Sequence, residues 1–212
     1  MTSRSLETIA YTSIREKIIS CEYFPGTILS ENELANELNM SRTPIRSALS
    51  HLASEGFIVS VHKRGIQIRD LTYKEILDMY EAMLSMLLYV LDFAERYGSA
   101  FDAPMLRELL NRQLEASKVN DYRSYIEHSL LFRRAVISAA RNETMLQMTD
   151  SLRDKMIMKS VAHWKQTPQQ QHYSANEINE AAYQAIVSGN LAEAKRVFVD
   201  AFHHLRGRVM LE

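Results

Sequence analysis

A predicted helix begins with the hexapeptide Ser41-Arg42-Thr43-Pro44-Ile45-Arg46. Ser41 is placed to cap this helix, and Pro44 falls in its first turn, where a missing N–H costs no hydrogen bond. Arg42 and Arg46 are four residues apart, so both side chains project from one face of the helix. An arginine at the amino-terminal end of such a helix can enter the major groove and bond guanine O6 and N7 in a bidentate manner. The hexapeptide therefore predicts the start of a DNA-recognition helix.

The residues before the hexapeptide predict two further helices. Ser30 and Glu33 form a capping box that opens the second helix, over residues 31–38, and Asn39-Met40 makes a tight turn towards the hexapeptide. The first helix, which the turn Pro25-Gly26 should end, is predicted from apolar residues near one helical face: Ile9, Ile14, Ile18 and Cys21. This order of short helices and tight turns is typical of a helix-turn-helix.

After Gly56, which should end the third helix, apolar residues recur with a period of two. The runs 57–61 and 66–69 flank His62-Lys63-Arg64-Gly65, which predicts a small β-hairpin with a basic tip suited to the DNA backbone or minor groove. Three helices and a hairpin make a winged helix-turn-helix domain over residues 1–70. The candidate DNA-binding residues are Ser41, Arg42, Thr43, Arg46, His62, Lys63, Arg64 and Gly65.

Composition agrees with a mainly α protein. The 212 residues include only 6 Gly and 4 Pro, fewer than the many turns of a β-sandwich or barrel would need. A net charge of −1 excludes a general polyanion binder, yet residues 41–69 carry five basic residues against one acidic residue. The single cysteine excludes an internal disulfide and a cysteine-based zinc cluster. Because no apolar run reaches 18 residues and no signal core is present, we expect a cytoplasmic protein with no membrane partner.

Residues 71–212 predict an all-α antiparallel helical bundle. The expected helices lie near 73–97, 104–118, 120–141, 143–164, 174–188 and 190–208. The third of these helices is apolar nearly all round, which is typical of a helix at the centre of a bundle.

The amino-terminal pattern resembles the DNA-binding domain of GntR-family transcriptional regulators. The resemblance covers about residues 8–69 and is carried by Ile14-Arg15-Glu16, Pro25-Gly26, Leu29-Ser30-Glu31, Met40-Ser41-Arg42-Thr43-Pro44-Ile45-Arg46 and Glu55-Gly56. The helical remainder is similar to the FadR-type ligand-binding (FCD) domain in its shorter, VanR-like form. The resemblance implies a homodimer, a near-palindromic double-stranded operator, and a regulator, most often a repressor, whose DNA affinity is set by a small metabolite.

The resemblance also implies a metal site, which this sequence does not match. Many FCD domains hold a metal with an Asp and a His four residues apart and with two further His on the last two helices. Matching Phe132-Arg133 and Asn142, and then Ala185-Ile186 and Gly189-Asn190, to the family pattern locates the four ligand positions. They hold Ser129, Arg133, Asn179 and Ala201. We therefore predict no metal and no cofactor.

An arginine that points into an apolar bundle needs an anionic partner. We expect Arg133 to anchor the carboxylate or phosphate of an effector directly, with Ser129, Asn179 and Tyr80 completing the site. Two alternatives stay open. Arg133 could pair with a core carboxylate or extend to the surface, as expected for Arg134, or a metal could bind off register between His128 and His204.

Other functions are also possible for such a chain. Arg42 and Arg46 could be solvated residues bound to local carboxylates, and the winged domain could bind a protein partner in an interaction module. The bundle could be a metal-dependent enzyme. However, we find no nucleophile elbow, phosphate loop, HExxH or Glu-x-x-His pair, so we predict that the protein is not an enzyme.

Overall fold

The structure, a computed structural model, describes residues 5–62, 64–170 and 172–209. This part of the chain divides into two compact units. The first contains the residues up to Leu71 together with Val161–His163, and the second contains the remainder.

Three helices make up most of the first unit: α1 (Leu6–Ile19), α2 (Glu31–Glu37) and α3 (Arg42–Ser54). Their core consists of apolar side chains that are fully buried, namely Ile14, Ile18, Leu34, Ile45 and Leu52. Burying such side chains stabilises a fold by about 1.5–3 kcal/mol each. The predicted end of the first helix at Pro25-Gly26 is wrong, because the chain leaves α1 at Ser20 and Cys21 takes a φ of 53°.

A small antiparallel sheet completes this unit. Its strands are β1 (Ile28–Leu29), β2 (Ile58–Val61) and β3 (Gly65–Ile68), in the order β1-β3-β2. The hairpin of β2 and β3 confirms the predicted wing. β1 was not predicted, since two residues are too few to show an alternating pattern.

Gly65 has a structural role in this sheet. Its φ is +107°, and a Cβ atom at this position would lie 2.4 Å from the carbonyl oxygen of Leu29 in β1. Only glycine fits both the left-handed backbone and the close approach.

Six helices follow: α4 (Tyr73–Tyr97), α5 (Ala103–Lys118), α6 (Tyr122–Ser138), α7 (Glu143–Gln166), α8 (Ala175–Val187) and α9 (Leu191–Val209). These helices confirm the predicted mainly α class, and their ends lie within three residues of the predicted ones. A capping box of Thr72 and Glu75 opens α4, and Gly98 ends it with a φ of 69°.

α6 lies at the centre of the second unit, as its apolar circumference predicts. Nine of its residues are buried, Tyr125 and Phe132 almost completely, and it packs against α4, α5 and α8. Among the described helices, none combines the length and apolarity needed to cross a bilayer.

Candidate nucleic-acid interface and buried polar cluster

The first turn of α3 is open to solvent. Ser41 occupies the N-cap position, as predicted, but its side chain makes no capping hydrogen bond. Arg42 and Thr43 follow it and are exposed. The N–H groups at the start of a helix attract anions when no side chain caps them. This end of α3 therefore presents amides, two hydroxyls and a guanidinium that could bind phosphate oxygens.

Arg46 lies one turn further along α3 and is paired with Glu31 in the first turn of α2. The two hydrogen bonds measure 3.1 Å (Nε to Oε1) and 2.8 Å (Nη2 to Oε2), although 70% of the arginine side chain is exposed. The guanidinium lowers the pKa of Glu31 below its usual value. The alternative of a local carboxylate partner thus holds for Arg46, while Arg42 has no hydrogen-bond partner among the described residues.

The tip of the wing is basic and exposed. His62 and Arg64 lie in the turn, and the Arg64 amide donates to the carbonyl of Val61 at 2.9 Å. Lys63 lies outside the described residues. Gly65, which the sequence predicts as a DNA contact, also approaches β1 closely.

Polar contacts between α1 and the end of α3 hold α3 in place. The Tyr11 hydroxyl donates to Glu55 at 2.6 Å, and its ring stacks on His51 with centroids 4.6 Å apart. Burial and the bond to Glu55 together raise the pKa of Tyr11 to about 12. His51 therefore has a structural contact in this fold, near the end of α3.

The second unit brings together the four residues predicted to bind an effector, in two pairs. Asn179 of α8 and Ser129 of α6 are fully buried, and the Asn179 Nδ2 donates to the Ser129 Oγ at 3.1 Å. Arg133 follows Ser129 by one helical turn. The guanidinium carbon of Arg133 lies 5.8 Å from the ring centroid of Tyr80 in α4 and 5.9 Å from that of Phe198 in α9.

Arg133 has no carboxylate partner in the part of the chain that the structure describes. Its Nε is buried and makes no hydrogen bond there, although the residue as a whole is not fully enclosed. Burial lowers the pKa of its guanidinium. The neighbouring Arg134 is half-exposed, and there it binds Asp150 at 2.7 and 2.9 Å.

Gln113 of α5 was not predicted as a site residue. It is fully buried, and its Oε1 accepts a hydrogen bond from Asn179 at 2.8 Å. The signal was present in the sequence, because Gln113 follows Leu106 and Leu110 on the buried stripe of α5. A polar side chain on such a stripe usually has a hydrogen-bonding role.

The histidines of the second unit are dispersed. The Nδ1 of His128 lies 2.7 Å from the carbonyl oxygen of Ser124, and His203 and His204 are exposed. Within the described ranges, no three His, Cys, Asp or Glu side chains are grouped so as to hold a metal ion.

Comparison with known families places both units. Residues 6–68 match the model of bacterial regulatory proteins of the gntR family, and residues 78–204 match the FCD domain. The chain belongs to the GntR family. Its helical unit is an FCD domain.

Two curated relatives of this GntR-family protein are gluconate operon transcriptional repressors. The one from Bacillus licheniformis is 36% identical over 147 residues, which cover 68% of this chain and 58% of the repressor. The one from Bacillus subtilis (strain 168) is 32% identical over 152 residues, which cover 70% and 60%. The matched part of the chain thus spans about three fifths of the length of these relatives.

A solved structure has the same fold. It is that of a putative transcriptional regulator GntR from Rhodococcus sp. RHA1, with a TM-score of 0.81. The two chains are 19% identical over 96% of this chain and 97% of that one.

Proposed function

We propose that this GntR-family protein is a transcriptional repressor that binds a double-stranded DNA operator as a homodimer. The observation that carries the proposal is the open first turn of α3, where Ser41, Arg42 and Thr43 are exposed beside the Glu31–Arg46 pair. A recognition helix meets base edges with its amino-terminal residues. A dimer would place two such helices on half-sites about one turn of DNA apart.

The pairing of Arg46 with Glu31 fits this function. An exposed ion pair adds little net stability, so its exchange for a guanine edge or a phosphate costs little. Until DNA arrives, the two hydrogen bonds hold the guanidinium at the end of α3 that faces the groove. Exposed Arg64 at the wing tip would contact the backbone and add affinity for any sequence.

The FCD unit supplies the proposed regulation. Arg133 is a cation with a buried Nε, no carboxylate partner in the described residues, and the rings of Tyr80 and Phe198 beside it. A buried cation is stabilised most by an anion that it can bind through parallel hydrogen bonds. We infer that a small carboxylate or phosphate effector binds here without a metal and changes DNA affinity by favouring one arrangement of the dimer.

No enzymatic activity is proposed. The buried polar groups of the FCD unit suit ligand binding, and the relatives are regulators rather than catalysts. A repressor works where the chromosome is, so we place the protein in the cytoplasm.

DNA binding is tested by Arg46→Ala. An operator is first selected from a random duplex library, and its affinity is then measured at several salt concentrations. Loss of a bidentate base contact should lower affinity roughly ten- to a hundredfold and relax the preference at one base. Arg64→Ala should instead weaken all sequences alike and reduce the salt slope by about one.

The matched control is Arg196→Ala in α9. Arg196 is also an exposed arginine held by carboxylates, at 2.6 Å from Glu193 and 3.0 Å from Asp200. Its loss should leave DNA affinity unchanged. Wild-type operator affinity in Arg46→Ala would refute the assignment of α3 as the recognition helix.

The effector site is tested by native mass spectrometry of the protein with gluconate, which the operons of the two relatives suggest, and with inorganic phosphate. We expect two chains with a bound small anion, and loss of the anion in Arg133→Met but not in Arg112→Met, an exposed arginine of α5. A mass increment the size of a zinc or nickel ion would contradict the metal-free site. A bare dimer with every anion would refute the anchor.

A further inference from the structure

In the winged unit, α1 and α3 lie side by side and point in the same direction. Glu7, in the first turn of α1, accepts a hydrogen bond from the hydroxyl of Ser47. One turn further along both helices, the ring of Tyr11 stacks on that of His51 with centroids 4.6 Å apart. Because these two pairs are four residues apart on each helix, the first turn of α1 lies beside the amino-terminal half of α3.

The Glu7–Ser47 pair lies on the outer side of α3. The opposite side of this helix is buried and consists of Ile45, Ala48, Leu49 and Leu52. Thr43 is exposed, and Ser47 follows it by one turn, about 6 Å of rise. Glu7 is itself exposed. A contact that brings Thr43 to a DNA groove therefore brings the Glu7–Ser47 pair to the same groove.

This pair offers only hydrogen-bond acceptors. The hydroxyl hydrogen of Ser47 is directed at Glu7, so the Ser47 oxygen can only accept from other groups, and an ionised carboxylate has no hydrogen to donate. Arg46, the residue before Ser47, can only donate, and its side chain leaves the helix about 100° away from that of Ser47. The outer surface of α3 thus has donors along one flank and acceptors along the other.

The four bases differ in how their major-groove edges would meet a group of acceptors. Guanine O6 and N7 and thymine O4 are acceptors themselves and would oppose it. Adenine offers the amino group at N6 but has the acceptor N7 beside it. Cytosine offers its N4 amino group without a neighbouring acceptor. Cytosine is therefore the base that the Glu7–Ser47 pair suits best.

We propose that Glu7 is a specificity-determining residue, whose carboxylate accepts from the N4 amino group of an operator cytosine while Ser47 positions it. This inference rests on the proposed function, in which α3 enters the major groove. The carboxylate repels the phosphates of every sequence and regains that loss only where cytosine lies next to it. Glu7 therefore contributes to the choice of sequence rather than to overall affinity.

Glu7→Gln separates base recognition from the contact between the helices. The glutamine oxygen can still accept from Ser47, but the amide adds two donors, removes the charge and suits adenine N6 and N7. Operators are selected with the full chain from a random duplex library, and each position of the selected site is then varied through the four bases. We expect the wild type to prefer cytosine about fivefold or more at one position beside the base contacted by Arg46. Glu7→Gln should lose that preference or exchange it for adenine.

Two control variants match the changes in charge and in hydroxyl groups. Glu22→Gln alters the charge of the winged unit equally at a residue that binds Lys17 at 2.6 Å, and it should leave every base preference unchanged. Ser47→Ala removes the hydroxyl that positions the carboxylate and should reduce the preference for cytosine severalfold. Ser54→Ala should not, because the Ser54 hydroxyl donates at 2.7 Å to a carbonyl of α3 itself. Urea unfolding checks that each variant is folded.

The outcomes separate this inference from the proposed function. A selected operator without a preferred cytosine, or unchanged base preferences in Glu7→Gln, would overturn it and leave Glu7 as a contact between α1 and α3. A rise in affinity that is equal for all sequences would overturn it too, since only repulsion from phosphates would then be lost. If Arg46→Ala still relaxed the preference at its own base, the assignment of α3 would stand. If neither variant changed the selected sequence, both proposals would be overturned.

Discussion

Two arginines of this protein stand in opposite situations. Arg46 in the winged unit is exposed and already bound by Glu31, whereas Arg133 in the FCD unit has a buried Nε and no carboxylate partner among the described residues. An exposed cation can exchange a carboxylate for DNA at little cost, since water solvates either form. The enclosed Nε of Arg133 cannot turn to water in this way, so the fold carries a cost that a bound anion would relieve. Arg46 can therefore exchange Glu31 for DNA, whereas Arg133 can gain a partner when an anion binds.

The largest effect on stability is expected from a substitution that disrupts the wing and leaves Arg46 and Arg133 unchanged. Gly65→Ala places a methyl group 2.4 Å from the Leu29 carbonyl oxygen at a φ of +107°. Forcing the strands apart should destabilise the winged unit by about 3 kcal/mol or more. Urea unfolding and operator binding would both report it. Gly26→Ala, which has a positive φ but no atom within 4 Å of the added Cβ, should cost clearly less. Equal losses would contradict the close approach of β1.

Replacing Arg133 by an apolar residue of similar length should stabilise the ligand-free protein. Arg133→Met removes the desolvation penalty of the enclosed part of the guanidinium; apolar replacements of whole buried ion pairs gain about 1–4 kcal/mol, which sets the upper limit for this gain. Urea unfolding without added anion measures it. Arg134→Met is the comparison, because it breaks two hydrogen bonds to Asp150 and should not stabilise. Destabilisation by Arg133→Met would mean that the arginine already has a partner.

The smallest effect concerns the exchange at Arg46. Glu31→Gln removes the competing carboxylate charge, so operator affinity should rise a fewfold, with little change in the free energy of unfolding. Because the pKa of Glu31 is lowered by Arg46, protonating Glu31 at low pH weakens the pair in the same way as Glu31→Gln does. The carboxylate holds Arg46 at neutral pH, and its contribution to stability is lost as the pH falls through that lowered pKa. Glu33→Gln, at a residue that caps α2 without contacting Arg46, is the control for affinity. An unchanged affinity in Glu31→Gln would show that the pair opposes no DNA contact.

Local chemistry made much of the fold predictable. The capping box of Ser30 and Glu33, the turn at Asn39 and the period-two run before Arg64 are short-range signals, and each appears where the sequence indicated. β1 was not predicted, because it forms only by pairing with β3, nearly forty residues later in the chain.

The residues of the candidate sites could be predicted from the sequence, but the contacts between them could not. Arg133, Ser129 and Asn179 could be named because short segments of the sequence match the family pattern and locate its ligand positions. The Glu31–Arg46 pair depends on the angle between two helices. The hydrogen bonds of Asn179 to Gln113 and Ser129 depend on how α5, α6 and α8 pack together. Neither can be inferred from residue spacing alone.

Arg133, with its buried Nε, also bears on how long the protein survives in a cell. An anion that binds only the folded chain increases the free energy of unfolding as its concentration rises. Raising the free anion from ten to a hundred times its Kd adds about 1.4 kcal/mol. Proteases act on the unfolded fraction. The amount of this protein should therefore follow the supply of its effector, so that a cell without the effector keeps less of the protein that detects it.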